Sequence, residues 1–240
     1  MSKRFLIEPT DLKTANEIVA RLHRHSEPVG VSIRQVIARD RASGQVVGTG
    51  ILGRPVSLIL DDGFTLEVSR TATDGTEHAC SAILGALARE ARKILLRGNP
   101  VYRLTTYTRQ SESGASLRAA GWRFDAKHHT QFVPKGLGVE RTIVPIQPKS
   151  WSNPSRPRPV REPGEPRLRW LKLLPDALDD EAAFKMGQAA AAAGALIGSN
   201  PFSYLEARAD GSTQLVFVGD YLWEIWREGF SVGNTRAAIA

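Results

Sequence analysis

Cysteine is almost absent from this sequence, since Cys80 is the only one among 240 residues. A single thiol excludes a disulfide within the chain and a thiolate-rich metal site built by one chain. Long apolar runs are missing too: no stretch of about eighteen apolar residues occurs, and the N-terminus has no apolar core of signal-peptide length. We therefore expect neither export nor a membrane span, and we predict a cytoplasmic protein.

Acidic residues are in deficit only in the first part of the chain. Residues 1–169 contain 27 Lys and Arg against 16 Asp and Glu, whereas residues 170–240 contain 5 against 9. The formal net charge of +7 therefore combines +11 in the first part with −4 in the second. The basic part would attract a phosphate-bearing cofactor, nucleic acid or an acidic protein, unless it is ordinary solvated surface.

The segment from Thr65 to Trp122 shows the clearest alternation of element types. It reads as strand, turn, helix, strand and short helix, at Thr65–Thr73, Asp74–Thr76, Ala79–Leu96, Tyr102–Thr108 and Ser116–Gly121. Two strands joined by a helix form a βαβ unit, and the N-terminus of such a helix favours phosphate. The sequence therefore predicts a phosphate-bearing cofactor at the start of the first helix.

The residues before this segment add antiparallel elements. They predict a short strand at Phe5–Pro9, an amphipathic helix from Thr10 or Asp11 to about His23, and strands at Ser32–Asp40 and Gln45–Leu52 joined as a hairpin. The resulting order β, α, β, β, β, α, β, α, β predicts an α/β protein with an α+β mixed sheet. A crossover helix should connect parallel neighbours within this sheet.

The whole chain is predicted to have three parts. Residues 1–133 form the first domain. Residues 134–169 are rich in proline and basic residues, so they should form a linker or a segment that wraps the first domain. Residues 170–240 should form a small, mainly helical accessory module. Its expected elements are a helix at Asp176–Ile197, a hairpin around Asp210-Gly211 and an aromatic segment at Tyr221–Phe230.

Three segments within about residues 5–170 carry a family resemblance: LEVSRTATDGTEHACS, TTYTRQSESGASLRAAGWR and SWSNPSRPR. Together with the element order, they resemble the GNAT acetyltransferases. The sequences of these segments most resemble a branch found on phages and mobile elements. This branch is distantly similar to Mom, a phage enzyme that acylates adenine in DNA. The resemblance implies a GNAT-like fold, acetyl-CoA or another acyl-CoA as cofactor, and acyl transfer to an amine.

The resemblance also places the cofactor phosphates on the turn before the crossover helix. The family has R/Q-x-x-G-x-G/A there, and this chain has His78, Ala79 and Cys80 at the matching positions, followed by Ser81. The hydroxyls of Thr76 and Ser81 would add hydrogen-bond donors, whereas the side chains at 78 and 80 would crowd the site. The predicted cofactor contacts are Thr71, Thr76, His78, Ala79, Cys80, Ser81 and Ser111.

The catalytic acid of the family is a tyrosine in the pattern N-x-x-A-x-x-x-Y. This chain has Ser111, Gly114 and Arg118 at the matching positions, so the tyrosine is missing. Tyr107 on the preceding strand is the candidate replacement, and Arg118 is a candidate for electrostatic stabilisation of a thiolate. The alternative for Tyr107 is a structural tyrosine half-buried in the sheet.

Glu67 is the candidate general base. A carboxylate within an otherwise apolar strand is costly unless it is solvated or paired. Strand alternation places Glu67, Ser69 and Thr71 on one face and Arg70 on the other, unless a bulge intervenes, as is usual in the family. Two alternatives remain: Glu67 and Arg70 form a structural ion pair, or Arg70 orients an acidic or phosphate-bearing substrate.

Histidine and cysteine offer further chemistry. His23 and His25 end the first helix, where a cationic imidazole suits the helix C-terminus. The alternative is contact with the acceptor substrate, because this loop often lines the acceptor cleft of GNAT proteins. A metal site would have to combine distant segments, and we predict none. Cys80 should have a lowered pKa near a helix N-terminus, but we do not assign it as a nucleophile.

The C-terminal module resembles a second family. Residues Met186–Gly194, Asn200–Phe202 and Trp226–Phe230 are similar to the helix, loop and second helix of ribosome modulation factor, a family that binds ribosomal RNA. The module is acidic overall, and it has extra residues between these motifs. RNA and protein therefore both remain open as its partner.

Two functions from different classes remain. The first is a GNAT-like acyltransferase that moves an acyl group from acyl-CoA to an amine, with a DNA-base amine in the Mom-like version. The second is a catalytically silent GNAT-fold module that binds nucleic acid or a host protein through its basic surface. Retention of Glu67, Arg70 and Ser81 favours the first, whereas the missing glycines and the missing tyrosine favour the second. We favour the first.

Overall fold

A computed structural model of the chain describes residues 4–24, 26–57, 60–125, 130–134, 141–145, 167–174, 180–192, 203–207, 213–217 and 224–232. The strands are β1 (Phe5–Pro9), β2 (Arg34–Asp40), β3 (Val46–Gly53), β4 (Thr65–Thr73), β5 (Leu95–Leu96), β6 (Asn99–Pro100), β7 (Arg103–Arg109), β8 (Arg123–Phe124), β9 (Thr130–Pro134), β10 (Arg141–Pro145), β11 (Arg167–Leu173), β12 (Ser203–Ala207) and β13 (Thr213–Phe217). The helices are α1 (Leu12–Leu22), α2 (Ala79–Ala91), α3 (Ala115–Ala119), α4 (Asp180–Ala192) and α5 (residues 224–232).

Seven of the strands form one mixed sheet in the order β1-β2-β3-β4-β7-β11-β8. All neighbouring pairs in this sheet are antiparallel except β4 and β7, which run parallel and are connected through α2. The predicted mixed α/β sheet, with a crossover helix between parallel neighbours, is confirmed. A small hairpin of β5 and β6 lies between α2 and β7 and was not predicted.

Helix α2 covers one face of the sheet. Its apolar side chains Ile83, Leu84 and Leu87 are buried in the main core together with Leu104 of β7. Gly50 of β3 permits this close approach, because a Cβ atom there would lie 2.4 Å from Ile83 Cγ2. Each buried leucine or isoleucine contributes about 2 kcal/mol through loss of contact with water.

Helix α1 covers the opposite face. Of the two predicted starts, Thr10 and Asp11, the structure selects Asp11 as the N-cap, and the Asp11 carboxylate accepts a hydrogen bond from Thr14 N at 2.8 Å. Ala15 and Val19 are fully buried against Ile51 of β3. The loop that follows α1 therefore begins over this same face of the sheet.

Strand β11 lies between β7 and β8, inside the main sheet. The sheet thus extends beyond the predicted first domain (1–133), and β11 crosses the predicted boundary between residues 169 and 170. Most of the proline-rich segment lies outside the described residues. The division into a domain, a linker and an accessory module stays a prediction.

The C-terminal segment is helical, as predicted, and packs against the sheet domain. Ala183 and Met186 of α4 form a buried cluster with Trp226 and Phe230 of α5, and this cluster includes Phe64 and Tyr102 beside the ends of β4 and β7. The predicted hairpin around Asp210-Gly211 is present as the antiparallel pair β12 and β13. In the part of the chain that is described, no helix has the length and hydropathy to cross a bilayer.

Candidate active site

A cavity of about 1120 Å³ opens where β4 and β7 part. Their parallel pairing covers only three residue pairs and ends at Glu67 opposite Thr105. Beyond that point the two strands line opposite walls of the cavity, and the loop after α1 and the loop before α3 complete it. The cavity therefore lies at the carboxyl ends of the two parallel strands, a common place for ligands in open α/β sheets.

A β-bulge at Ser69 determines which side chains of β4 face the cavity. Leu52 of β3 pairs with Val68, whereas the preceding Ile51 pairs with Arg70, so that Ser69 is the extra residue. Plain alternation, which places Glu67 and Arg70 on opposite faces, therefore does not hold, and the alternative of an intervening bulge is the one that the structure shows. The bulge shifts the alternation by one residue, and both side chains lie on the face that carries α1.

Glu67 is buried but hydrogen-bonded. The residue is only 6% exposed, and Glu67 Oε2 accepts a hydrogen bond from Val56 N at 3.1 Å. Its carboxylate is also close enough to Tyr107 to raise the pKa of that phenol. A buried carboxylate that lines a cavity can accept a proton from a bound amine, which is the function predicted for Glu67.

Arg70 lines the same cavity and holds two backbone carbonyls. Arg70 Nε donates to Glu27 O at 2.9 Å, and Arg70 Nη1 donates to Ser69 O at 2.6 Å. The first bond joins the loop after α1 to β4, and the second spans the bulge. Arg70 therefore fixes one wall of the cavity, whatever else it contacts.

Tyr107 of β7 is half-buried and lines the cavity. Burial raises the pKa of the Tyr107 phenol, the carboxylates of Glu67 and Asp125 also raise it, and Arg169 opposes them with a positive charge and a hydrogen bond. Tyr107 is thus protonated at neutral pH and stands across the strand gap from Glu67. An acid and a base that line one cavity can act on the same substrate.

The turn before α2 lies beside the cavity, which reaches Cys80 in the first turn of the helix. Gly75 and His78 have positive φ angles of 95° and 66°, and Ala79 N donates to Thr76 O at 3.1 Å. Ser81 Oγ donates to His78 O at 3.0 Å, so its hydroxyl proton is engaged within the turn. The side chain of His78 is 72% exposed and does not line the cavity, so it does not produce the crowding expected there.

Seven of the predicted site residues line the cavity: His23, Glu67, Arg70, Thr71, Cys80, Tyr107 and Ser111. Five others that are described do not: Thr76, His78, Ala79, Ser81 and Arg118. His25 lies outside the described residues. Arg118 instead donates to Ser113 O at 2.6 Å, and its guanidinium lies 5.6 Å from the ring centre of Trp170. The chemical roles of all these residues stay predictions.

The pKa of Cys80 and the hydrogen bonding of the His23 imidazole differ from those expected at their helix ends. Burial raises the pKa of the Cys80 thiol, with Ser116 opposing and Glu112 adding to the rise, so the lowered pKa expected at the N-terminus of α2 is wrong. His23 Nδ1 accepts a hydrogen bond from Ser26 N at 3.2 Å, which requires an unprotonated nitrogen. No group of three or more potential metal ligands occurs among the described residues.

Four charged residues at or behind the cavity wall were not predicted from the sequence. Arg24 and Glu112 form a salt bridge of 3.2 Å between the loop after α1 and the loop before α3. Arg169 and Asp125 form a second pair beside Tyr107. Alternation within RLRWLKL could have placed Arg169 and Trp170 on opposite faces of a strand. The two ion pairs themselves could not be predicted without knowing which strands are neighbours.

Comparisons with known proteins give similarity of structure alone. No sequence-family model matches the chain, and no curated protein matches its sequence. Among solved structures, it is similar to the ribosomal-protein-S18-alanine N-acetyltransferase from Escherichia coli, with 16% identity, a TM-score of 0.42, and coverage of 70% of this chain and 93% of that chain. Spermidine N-acetyltransferase from Vibrio cholerae, in complex with CoA and spermine, shows 10% identity and a TM-score of 0.43, with coverage of 73% and 99%. An acetyltransferase from Bacillus subtilis in complex with CoA shows 12% identity and a TM-score of 0.38, with coverage of 71% and 99%.

Proposed function

We propose that this protein is an acyl-CoA-dependent N-acyltransferase. The observation that supports this most strongly is the placement of Glu67 and Tyr107 on one face of two parallel strands, where the strands part to form a cavity. One side chain can accept a proton and the other can donate one. Transfer of an acyl group from sulfur to nitrogen needs both proton movements.

The cavity fits an elongated thioester ligand that ends in phosphates. Beyond Glu67, the edge of β4 no longer pairs with β7, so its backbone groups can hydrogen-bond an extended amide chain as a strand would. The cavity reaches Cys80 in the first turn of α2, where backbone N–H groups and the helix dipole favour phosphate. Acetyl-CoA or another acyl-CoA has these features, and it would supply an activated acyl group.

The residues of the chain then have distinct roles in the mechanism. Glu67 takes a proton from the acceptor amine, so that the nitrogen lone pair can form the new bond to the acyl carbon. Tyr107 gives its proton to the sulfur as the carbon–sulfur bond breaks. Arg70 holds the loop after α1 against β4, which keeps the acceptor side of the cavity shaped and partly closed to water.

A DNA-base amine is our proposed acceptor, in keeping with the Mom-like resemblance. Four arginines and two glutamates line the cavity, so its wall has a net positive charge. Residues 1–169 also carry an excess of 11 positive charges, from 27 basic and 16 acidic residues. Positive charge of this kind supports an acceptor that bears phosphates beside its amine. A role in a phage or mobile element and a cytoplasmic location belong to the same proposal.

The second candidate function is a silent module that binds nucleic acid or a host protein. Its support is the turn before α2, where His78 and Cys80 replace the glycines of the GNAT pattern, together with Arg118 at the position of the family's tyrosine. In that case the same positive charge would bind a partner without any acyl transfer. An RNA or protein partner for the C-terminal module likewise stays a prediction.

Calorimetry of the full chain with acetyl-CoA separates the two functions. We expect saturable binding with a dissociation constant below the millimolar range for the wild type and for Glu67→Gln, because Glu67 acts on the acceptor. Glu8→Gln is the matched control, since Glu8 is a carboxylate on β1 that pairs with Arg39 away from the cavity. Absence of binding at millimolar acetyl-CoA would contradict the transferase proposal and favour the silent module.

The acceptor is tested by incubating DNA with the protein and acetyl-CoA, followed by mass analysis of the released nucleosides. We expect an acetylated base with the wild type and with Glu8→Gln, and at most a trace with Glu67→Gln. If acetyl-CoA binds but every nucleoside keeps its mass, DNA is the wrong acceptor. Retention of DNA on the protein without acetyl-CoA binding would support the silent module instead.

A further inference from the structure

An ion pair between half-buried Arg169 and buried Asp125 lies directly behind Tyr107. Arg169 of β11 is paired in register with Tyr107 of β7. Arg169 Nε donates to Asp125 Oδ2 at 2.6 Å, and Arg169 Nη2 contacts the same oxygen. The Asp125 side chain is only 3% exposed, and Asp125 N donates to Arg169 O at 2.9 Å. Asp125 and Arg169 thus hold each other through both side chain and backbone.

The alternation of β11 directs Arg169 towards the chemical side of the sheet. The next residue, Trp170, lies in the core on the face that carries α2 and α3, where its indole donates to Thr108 Oγ1 at 2.9 Å. Arg169 must therefore lie on the opposite face, together with Tyr107 and Glu67. A hydrogen bond joins Arg169 to the Tyr107 phenol. Tyr107 lines the cavity, whereas Arg169 and Asp125 do not, so they form a layer behind it.

Stability alone is a weak reason for such a pair. Removing charges from water is unfavourable, and their mutual attraction offsets this cost only with good geometry. A structural role would be satisfied by apolar side chains at positions 125 and 169. What an apolar pair could not do is hold a positive charge against the oxygen of Tyr107.

We propose that Arg169, oriented by Asp125, is a positioning residue that fixes the Tyr107 phenol and stabilises its phenolate after proton donation. This rests on the proposed function, in which Tyr107 protonates the departing sulfur. The O–H bond of Tyr107 breaks, the proton moves to sulfur, and the electron pair stays on the phenol oxygen beside the Arg169 guanidinium. Tyr107 later regains a proton from solvent, and Glu67 releases to solvent the proton that it took from the amine, which completes the cycle.

The charged groups that face Tyr107 should shift the pKa of its phenol in opposite directions, so two substitutions should have opposite effects. Glu67 faces it from β4, Arg169 from β11, and Asp125 from the end of β8. Arg169 lowers the pKa of the phenol, whereas Asp125 raises it. Loss of the Arg169 charge should therefore raise the pKa of Tyr107, and loss of the Asp125 charge should lower it while Arg169 stays in place.

The test is a pH titration of Tyr107 in the full chain. The titration is monitored by NMR of protein that carries tyrosine labelled with carbon-13 at Cζ. Tyr107→Phe identifies the signal among four tyrosines. We expect Arg169→Gln to raise the midpoint by about one pH unit or more, Asp125→Asn to lower it, and Arg169→Lys to lie close to wild type. Arg39→Gln is the matched control, because it removes the arginine of another ion pair between strands, with Glu8.

The titration needs no acyl transfer, so it remains informative if the transferase assignment fails. An unchanged midpoint in folded Arg169→Gln, or equal shifts of one sign in Arg169→Gln and Asp125→Asn, would overturn the proposal. If Arg169→Gln does not fold, Asp125→Asn decides the matter. A guanidinium that stays beside the phenol must lower its pKa once the Asp125 charge is gone, so an absent or upward shift overturns the proposal. With activity in hand, the loss of kcat in Arg169→Gln should exceed the loss in Arg169→Lys by at least about tenfold.

Discussion

The two faces of strands β4, β7 and β11 differ sharply in composition, although they share the same backbone. One face carries Leu66, Val68, Leu104 and Trp170, which are buried in the main core under α2 and α3. The other face carries Glu67, Thr105, Tyr107 and Arg169, and the cavity opens on it. Because alternate residues of a strand point to opposite faces, one set can hold the fold while the other carries chemistry.

The bulge at Ser69 contributes to this contrast, because it determines which face of β4 carries Arg70. It adds one residue shortly after the pairing between β4 and β7 has ended, and it turns Arg70 to the polar face. Without the bulge, Arg70 would point into the apolar core beneath α2. The division between the two faces predicts that substitutions on one face change activity and substitutions on the other change stability.

Glu67 on the polar face should show the greatest loss of activity. Glu67→Gln keeps an oxygen that can accept the hydrogen bond from Val56 N, but it cannot take up a proton from the acceptor. We expect the rate of transfer to fall by about 10²- to 10⁴-fold. The free energy of unfolding, measured in urea, should change by less than about 1 kcal/mol. A large loss of stability with little loss of rate would place Glu67 with the structural residues.

The opposite face should give the reverse result at Leu104, which is fully buried in the core under α2. Leu104→Ala removes apolar contacts and leaves a cavity, so we expect the free energy of unfolding to fall by about 3 kcal/mol. Urea unfolding should show a lower midpoint with an unchanged slope. Activity per folded molecule should stay within about twofold of wild type, and a greater loss would mean that the two faces are coupled.

A more moderate change is expected where the apolar face meets the cavity, at Gly114. Gly114 has a φ of 66°, and a Cβ there would lie 2.3 Å from Trp170 Cζ2. Gly114→Ala should therefore lower the free energy of unfolding by about 2 kcal/mol, which urea unfolding measures. It should also weaken acetyl-CoA binding in calorimetry, because the loop before α3 lines the cavity.

Gly75→Ala is the matched comparison for Gly114→Ala. Gly75 also has a positive φ, 95°, but a Cβ atom added to it would have no other atom within 4 Å. The substitution should cost only about 1 kcal/mol, from the backbone alone. Equal losses in the two variants would show that Trp170 yields easily and that contact with the indole does not fix the loop.

Local signals explain how much of this architecture could be predicted from sequence. The Asp11 N-cap, the turn at Asp74-Gly75 and the apolar spacing of α2 act within a few residues, and α1 and α2 begin where they were expected. The predicted end of the second helix at Leu96 is wrong, because α2 ends at Ala91 and Leu95–Leu96 form β5. The position of β11 between β7 and β8 depends on partners far away in sequence, so it was missed. Which segments form strands is therefore easier to predict than which strands become neighbours.

The candidate site follows the same division. Glu67 and Tyr107 could be selected because their residue types are unusual within strands. The face of Arg70 depends on a bulge in the register with β3, and the rise in the Cys80 pKa depends on burial near α3. The Arg169–Asp125 pair requires three strands to be aligned before its contact with Tyr107 exists. These are properties of the assembled sheet, and no short stretch of sequence contains them.

Two adjacent threonines of β7, one on each face, differ in whether the hydroxyl has a hydrogen-bond partner in the described part of the chain. Thr105 Oγ1 is fully buried on the polar face and has no hydrogen-bond partner among the described residues, whereas Thr106 Oγ1 donates to Val68 O at 2.9 Å. Valine has nearly the same shape as threonine. Thr105→Val should raise the free energy of unfolding by about 1 kcal/mol, because it removes an unsatisfied polar group, and Thr106→Val should lower it by about the same amount. Urea unfolding of the two variants checks both signs. A loss of stability in Thr105→Val would show that water reaches this hydroxyl, so that the polar face is hydrated below Glu67 as well as at the cavity.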